Sequence, residues 1–94
     1  MKAGRFVVPA DHPCLPGHFP GRPVVPGVLL LDEVLARLAP HVPGTITGVS
    51  SAKFLHPVAP GEDVDVTVDP STGAFTCEAA GRTVVRGRAS LQLP

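Results

Sequence analysis

Gly27-Val28-Leu29-Leu30-Leu31-Asp32-Glu33-Val34-Leu35-Ala36-Arg37-Leu38-Ala39 is the one stretch of this chain that reads as a helix, and its composition decides the fold. Leu, Ala, Glu and Arg are good helix formers; Pro26 and Gly27 open the run and Pro40 follows it. Val28, Leu29, Leu30, Leu31, Val34, Leu35 and Leu38 place apolar side chains around nearly the whole circumference. A helix of that kind is expected to be buried rather than half-exposed. Glu33 and Arg37, four apart, make one solvated stripe and an expected ion pair. Asp32 lies about 100° from Glu33 around the helix. Its neighbours at i−4, i+3 and i+4 are Val28, Leu35 and Ala36, so it shares an apolar face.

On either side of this helix the pattern is β. Residues 5–8, Arg-Phe-Val-Val, form a short strand stopped by Pro9. Further strands are expected at 45–55, 63–69, 74–80 and 83–93. Across 63–69, Val64, Val66 and Val68 alternate with Asp63, Asp65, Thr67 and Asp69, the mark of a strand buried on one face. Pro57, Pro60-Gly61, Pro70 to Gly73 and Gly81-Arg82 punctuate the strands as turns. The order predicts one α+β domain over residues 1–94, an antiparallel sheet wrapped around a single central helix.

Twelve prolines and ten glycines are high for 94 residues, but they are concentrated. Pro9, Pro13, Pro16, Pro20, Pro23 and Pro26 interrupt residues 9–26 every three or four positions, which precludes regular structure there. With 44% hydrophobic residues the chain is not disordered, so a long stiffened loop of functional shape is expected. Eight basic and eight acidic residues give no net charge and none of the footprint of a nucleic-acid binder. No apolar run approaches the roughly eighteen residues that span a bilayer, and Met1 to Pro13 lacks a signal-peptide centre; a cytoplasmic protein is expected. Cys14 and Cys77 have no CxxC spacing and read as reduced thiols, with no metal site implied. A core this small points to oligomerisation.

The stretch with chemistry in it runs from Pro16 to Asp32, PGHFPGRPVVPGVLLLD. It resembles the signature of the β-hydroxyacyl carrier-protein dehydratases of the FabA/FabZ type, H-F-x-G-x-P-x-x-P-G-x-x-x-x-[DE]. His18, Phe19, Gly21, Pro23, Pro26, Gly27 and Asp32 meet every fixed position. Ala52-Lys53-Phe54 and Pro57-Val58-Ala59-Pro60-Gly61 resemble the same family's second block, K-F-x-x-P-V-x-P-G. The chain differs from larger members in its short N-terminal side and in Asp at position 32, and is similar to the short, ApeI-like variety. The resemblance implies a hot-dog fold and an active site at a dimer interface, the histidine of one subunit facing the acid of the other. It also implies an acyl chain beside the central helix, delivered on phosphopantetheine by an acyl carrier protein or as acyl-CoA, with no metal or redox cofactor.

The chemistry of the residues agrees with that expectation. Dehydrating a 3-hydroxyacyl thioester needs a base for the α-proton, an acid for the departing hydroxyl and donors for the developing enolate oxygen. His18 titrates near neutrality and suits the base. Asp32, desolvated on an apolar face, would be raised in pKa and suit the acid. The N–H groups of Gly27 and Val28 open the helix without intrahelical partners and could receive the oxygen, with Phe19 and Pro26 beside the substrate. His12, His41 and His56 read as surface residues. Cys14 lies near His18 but lacks an orienting third group for a Cys/His nucleophile. Arg22, Lys53, Arg86 and Arg88 are candidates for the carrier's phosphate or acidic surface, or ordinary solvated charges. The other readings open to the fold are an acyl thioesterase and a non-catalytic hot-dog subunit that completes a homodimer or heterodimer or docks a carrier.

Overall fold

In a computed structural model of the protein, residues 1–11 and 24–93 are described. The elements run β1 (Lys2–Phe6), α1 (Gly27–Leu38), a one-turn 3₁₀ helix (Ala39–His41), β2 (Thr45–Phe54), β3 (Val64–Val68), β4 (Ala74–Ala79) and β5 (Arg82–Gln92). Every expected strand forms, with β1 displaced toward the N-terminus because it pairs with β3 through Lys2, Gly4, Arg5 and Phe6. The loop expected over 9–26 falls largely on residues 12–23, which lie outside the described residues.

The five strands form one antiparallel sheet in the order β1-β3-β4-β5-β2. Successive elements β1 and β2 therefore occupy opposite edges, and the connection between them, which contains α1, must cross a face of the sheet. The alternation read in β3 buries Val64, Val66 and Val68 on that face. Phe75, Cys77 and Ala79 of β4 join them. In β5 two consecutive residues, Val84 and Val85, are both buried, because the β4–β5 register shifts between Cys77 and Glu78. A bulge at that point lets neighbours share one face. The helix adds Leu30, Val34 and Leu38, an i, i+4, i+8 stripe, each exposed by 3% or less. Fully burying one such side chain contributes about 1.5–3 kcal/mol. This is a hot-dog arrangement, one helix against an antiparallel sheet.

Contrary to the expectation of burial all round, among the described residues the helix is fully buried along one stripe only. Val28 is 71% exposed, and Asp32 and Ala36 are exposed as well. The sheet fully buries a single stripe; Leu29, Leu31 and Leu35 are half-buried beside it, and Val28 and Ala36 face outward. Arg37 docks the C-terminal half of the helix onto β1. Its guanidinium lies 5.3 Å from the centre of the Phe6 ring, and its Nη1 pairs with Glu33 Oε2 at 2.7 Å, the ion pair expected from their spacing. Its stem occupies the space over Gly4, where an added Cβ would lie 2.9 Å from Arg37 Cγ.

Candidate active site

The two motif blocks, Pro16–Asp32 and Ala52–Gly61, are separated by nineteen residues, and the described part of the first meets the second in space. Val25 N–H donates to Val58 O at 2.8 Å, and Gly61 N–H donates to Val8 O at 2.8 Å. Val8, Val25 and Val58 are all buried at this junction. Glu62 closes the turn, its Oε1 accepting from Ala59 N–H at 2.7 Å. At the end of β2, Leu55 N–H donates to Val84 O at 2.8 Å, which ties the strand end to the bulge of β5. These bonds frame a cavity of about 310 Å³ between Val24–Gly27 and Leu30 on one wall and Phe54–Val58 on the other. That size lies at the lower end of small-ligand pockets.

The wall nearest the helix is its N-terminus. Pro26 holds the residue before the helix at φ −58° and ψ 143°, and its carbonyl accepts from the N–H groups of both Leu29 and Leu30 at 3.1 Å. Among the described residues no acceptor is paired with the N–H of Gly27 or Val28. These are the donors left over by helix geometry, and they carry the positive end of the helix dipole. The absence of a side chain at position 27 lets the Phe54 ring come close: a Cβ there would lie 2.9 Å from Phe54 Cζ. The Phe54 ring thus rests against the helix start, joining the Lys53-Phe54 block to the Pro26-Gly27 block.

Pro26 and Gly27 are among the residues that line the cavity, whereas Val28 and Asp32 are outside that set. Asp32 projects from the exposed side of the helix, one turn beyond Val28. Among the described residues nothing encloses its carboxyl. His18, Phe19, Arg22 and Cys14 lie outside the described residues. Lys53, Arg86 and Arg88 are exposed on the sheet. His56, read from the sequence as a surface residue, is exposed but forms part of the cavity wall. It occupies an unspecified position of the second block, so only its place between Phe54 and Pro57 could have marked it. Cys77 is buried in the core, and burial pushes its thiol up to about 12.

The family model for the ApeI-like dehydratases (ApeI dehydratase) matches residues 2–88. A 3-hydroxyacyl-[acyl-carrier-protein] dehydratase FabZ from Haemophilus influenzae is 34% identical over 71 residues, covering 65% of this chain and 48% of its own length. The FabZ of Fusobacterium nucleatum is 38% identical over 78 residues, covering 73% and 55%. The chain spans about half the length of these curated relatives. Among solved structures, the dehydratase heterocomplex ApeI:P from Xenorhabdus doucetiae is similar in fold, with a TM-score of 0.69 at 22% identity, covering 92% of this chain and 81% of that one. An uncharacterized protein from Erwinia carotovora subsp. atroseptica matches with a TM-score of 0.72 at 25% identity, covering 95% and 80%. A hot-dog sheet and helix, two motif blocks joined at a cavity, and a family match over nearly the whole sequence give one conclusion: the chain belongs to the ApeI-like dehydratase family.

Proposed function

We propose that this chain dehydrates 3-hydroxyacyl thioesters, carried on an acyl carrier protein or CoA, to trans-2-enoyl thioesters at a site completed by a second hot-dog chain. The observation that carries this reading is the meeting of the two motif blocks around an apolar cavity at the helix start. His18 removes the α-proton, breaking C2–H. Asp32 protonates the 3-hydroxyl as its C–O bond breaks, so the C2=C3 double bond forms and water leaves. The N–H groups of Gly27 and Val28 take the negative charge that builds on the thioester oxygen. Proton exchange with solvent resets the pair, and the chemistry calls for neither metal nor redox cofactor.

The need for a second chain rests on three features of this one. Asp32 and Val28 face outward from the helix. The edge strand β2 is ten residues long and, among the described residues, pairs on one side only, with β5. Phe54 and Leu55, at its end, are exposed by 49% and 37%. A long open edge beside exposed apolar side chains is a template for pairing with another chain. A second chain that also covers the outward face of the helix would enclose Asp32 within the shared site.

The test is turnover of a 3-hydroxyacyl-pantetheine or carrier thioester, followed as loss of water by mass. Wild type is expected to turn over, and His18→Ala and Asp32→Asn each to lose about 10²- to 10⁴-fold, the usual worth of a general acid or base. No turnover by the wild-type assembly, or full turnover by His18→Ala, contradicts the proposal. A non-catalytic subunit is the second reading, favoured by the position of Asp32 outside the cavity of its own chain. It predicts an inactive homogeneous protein that gains activity only with a different hot-dog partner.

A further inference from the structure

The turn that ends the second motif block is closed from both sides. Glu62 N–H donates to Ala59 O at 3.3 Å, and Glu62 Oε1 accepts from Ala59 N–H at 2.7 Å. Pro60 and Gly61, the latter at φ 88°, occupy the two central positions, as a type II turn prefers. A 2.7 Å contact is at the short end for N–H···O, the range of a charged acceptor. Among the described residues no cation pairs with Glu62, so its carboxylate serves the turn. The same turn holds both ends of one long segment. Gly61 N–H donates to Val8 O, and Val58 O accepts from Val25 N–H, each at 2.8 Å. Val8, Val25 and Val58 are each exposed by 4% or less. Residues 9–24 connect Val8 to Val25, and His18 is one of them. Bringing the ends of a loop together costs entropy that grows with its length, and these two bonds from one turn offset it. Pro26 and Gly27 follow Val25 directly, so the clamp also fixes the entry to α1.

We infer that Glu62 is a positioning residue: by fixing the 59–62 turn it holds both ends of the segment that bears His18, together with the entry to the helix start. The catalytic part of the inference rests on the dehydration proposed above. Glu62 is outside the set of residues that line the cavity, so it acts through Val8 and Val25 and not on substrate. A catalytic group misplaced by about 1 Å can cost about 10²-fold in rate. Loosening the clamp therefore lowers kcat. It leaves KM nearly unchanged, because the apolar walls Leu30 and Phe54 stand on α1 and β2, away from the turn.

The experiment follows amide hydrogen exchange by NMR and turnover of the 3-hydroxyacyl thioester in the same preparations of the full chain. Glu62→Met keeps the length of the stem and removes the acceptor, Glu62→Ala removes both, and Glu62→Gln keeps an oxygen that can take the Ala59 N–H. In the Met and Ala variants the Val25 and Gly61 amides are expected to exchange at least about tenfold faster, with Cys77 of the central strand β4 changed by less than about threefold. In both, kcat is expected to fall at least about tenfold with KM held within about threefold. Glu62→Gln is expected to stay near wild type in both readouts. Asp63→Ala removes the neighbouring exposed carboxylate and is expected to change neither. One of the two loss variants suffices if the other does not fold. Unchanged exchange at Val25, a loss carried by KM, or a Glu62→Gln no better than Glu62→Met overturns the inference. Exchange is read without turnover. A wild type that dehydrates nothing while its clamp depends on Glu62 contradicts the dehydratase and keeps the clamp, whereas faster exchange with unchanged kcat in an active enzyme contradicts the positioning role.

Discussion

Cys77 illustrates what a single residue contributes here. Its side chain is fully enclosed among the valines of the sheet, and burial holds the thiol near 12 rather than its ordinary 9.0. Because the folded pKa is raised, the contribution to stability is complete below pH 9 and is lost as pH rises from about 9 toward 12. The thiolate is the reactive form, so alkylation of the native protein at pH 8 followed by peptide mapping should leave Cys77 unmodified. Ready modification under native conditions would contradict the burial. At the site, motif and helix-start chemistry single out Pro26 and Gly27, and both line the cavity. His56 was not, since nothing in a lone histidine tells a cavity wall from open surface. Asp32 was readable as a candidate acid, but its surroundings depend on what covers the helix.

At the level of elements, periodicity located every strand and the helix, because alternation and helix-forming composition are local properties. What it missed were the bulges. Val84 and Val85 break the alternation of β5, and β2 skips register between Ile46 and Gly48 and between Val49 and Ser51. In β2 the skipped hydroxyls bond back to β5, Thr47 to Ser90 O at 3.3 Å and Ser50 to Arg88 O at 3.2 Å. The β4–β5 hairpin turns through Ala80 and Gly81 at φ 53° and 77°, a pair of left-handed residues that suits the twist of a two-residue turn. Alanine is poorly suited to that region, so Ala80→Asn should stabilise the protein by about 1 kcal/mol, read as a higher melting temperature. Gly87 has the opposite constraint. A Cβ there would collide with Ser51 O and lie 2.9 Å from Phe75 Cζ. Gly87→Ala should lower the melting temperature, by about 1–3 kcal/mol if the crowding is typical of an overpacked core.

On the scale of the whole molecule, a helix apolar on nearly every side meets a sheet that fully buries one stripe of it. The sequence signalled that the helix should be buried, and one chain leaves Val28, Asp32 and Ala36 in solvent. The difference is physical: hydrophobicity reports how much surface must be covered, and says nothing of which chain covers it. Sizing by light scattering should therefore find a dimer or larger assembly at micromolar concentration, and a stable monomer would count against a shared site.

A complementation assay puts that shared site to the most direct test. His18→Ala and Asp32→Asn, each inactive alone, are co-expressed so that their chains mix at random. If the histidine of one chain works with the aspartate of the other, each mixed dimer holds one intact site. Two-fold symmetry then restores about a quarter of wild-type turnover. Mixed dimers that form but recover no activity would contradict the account.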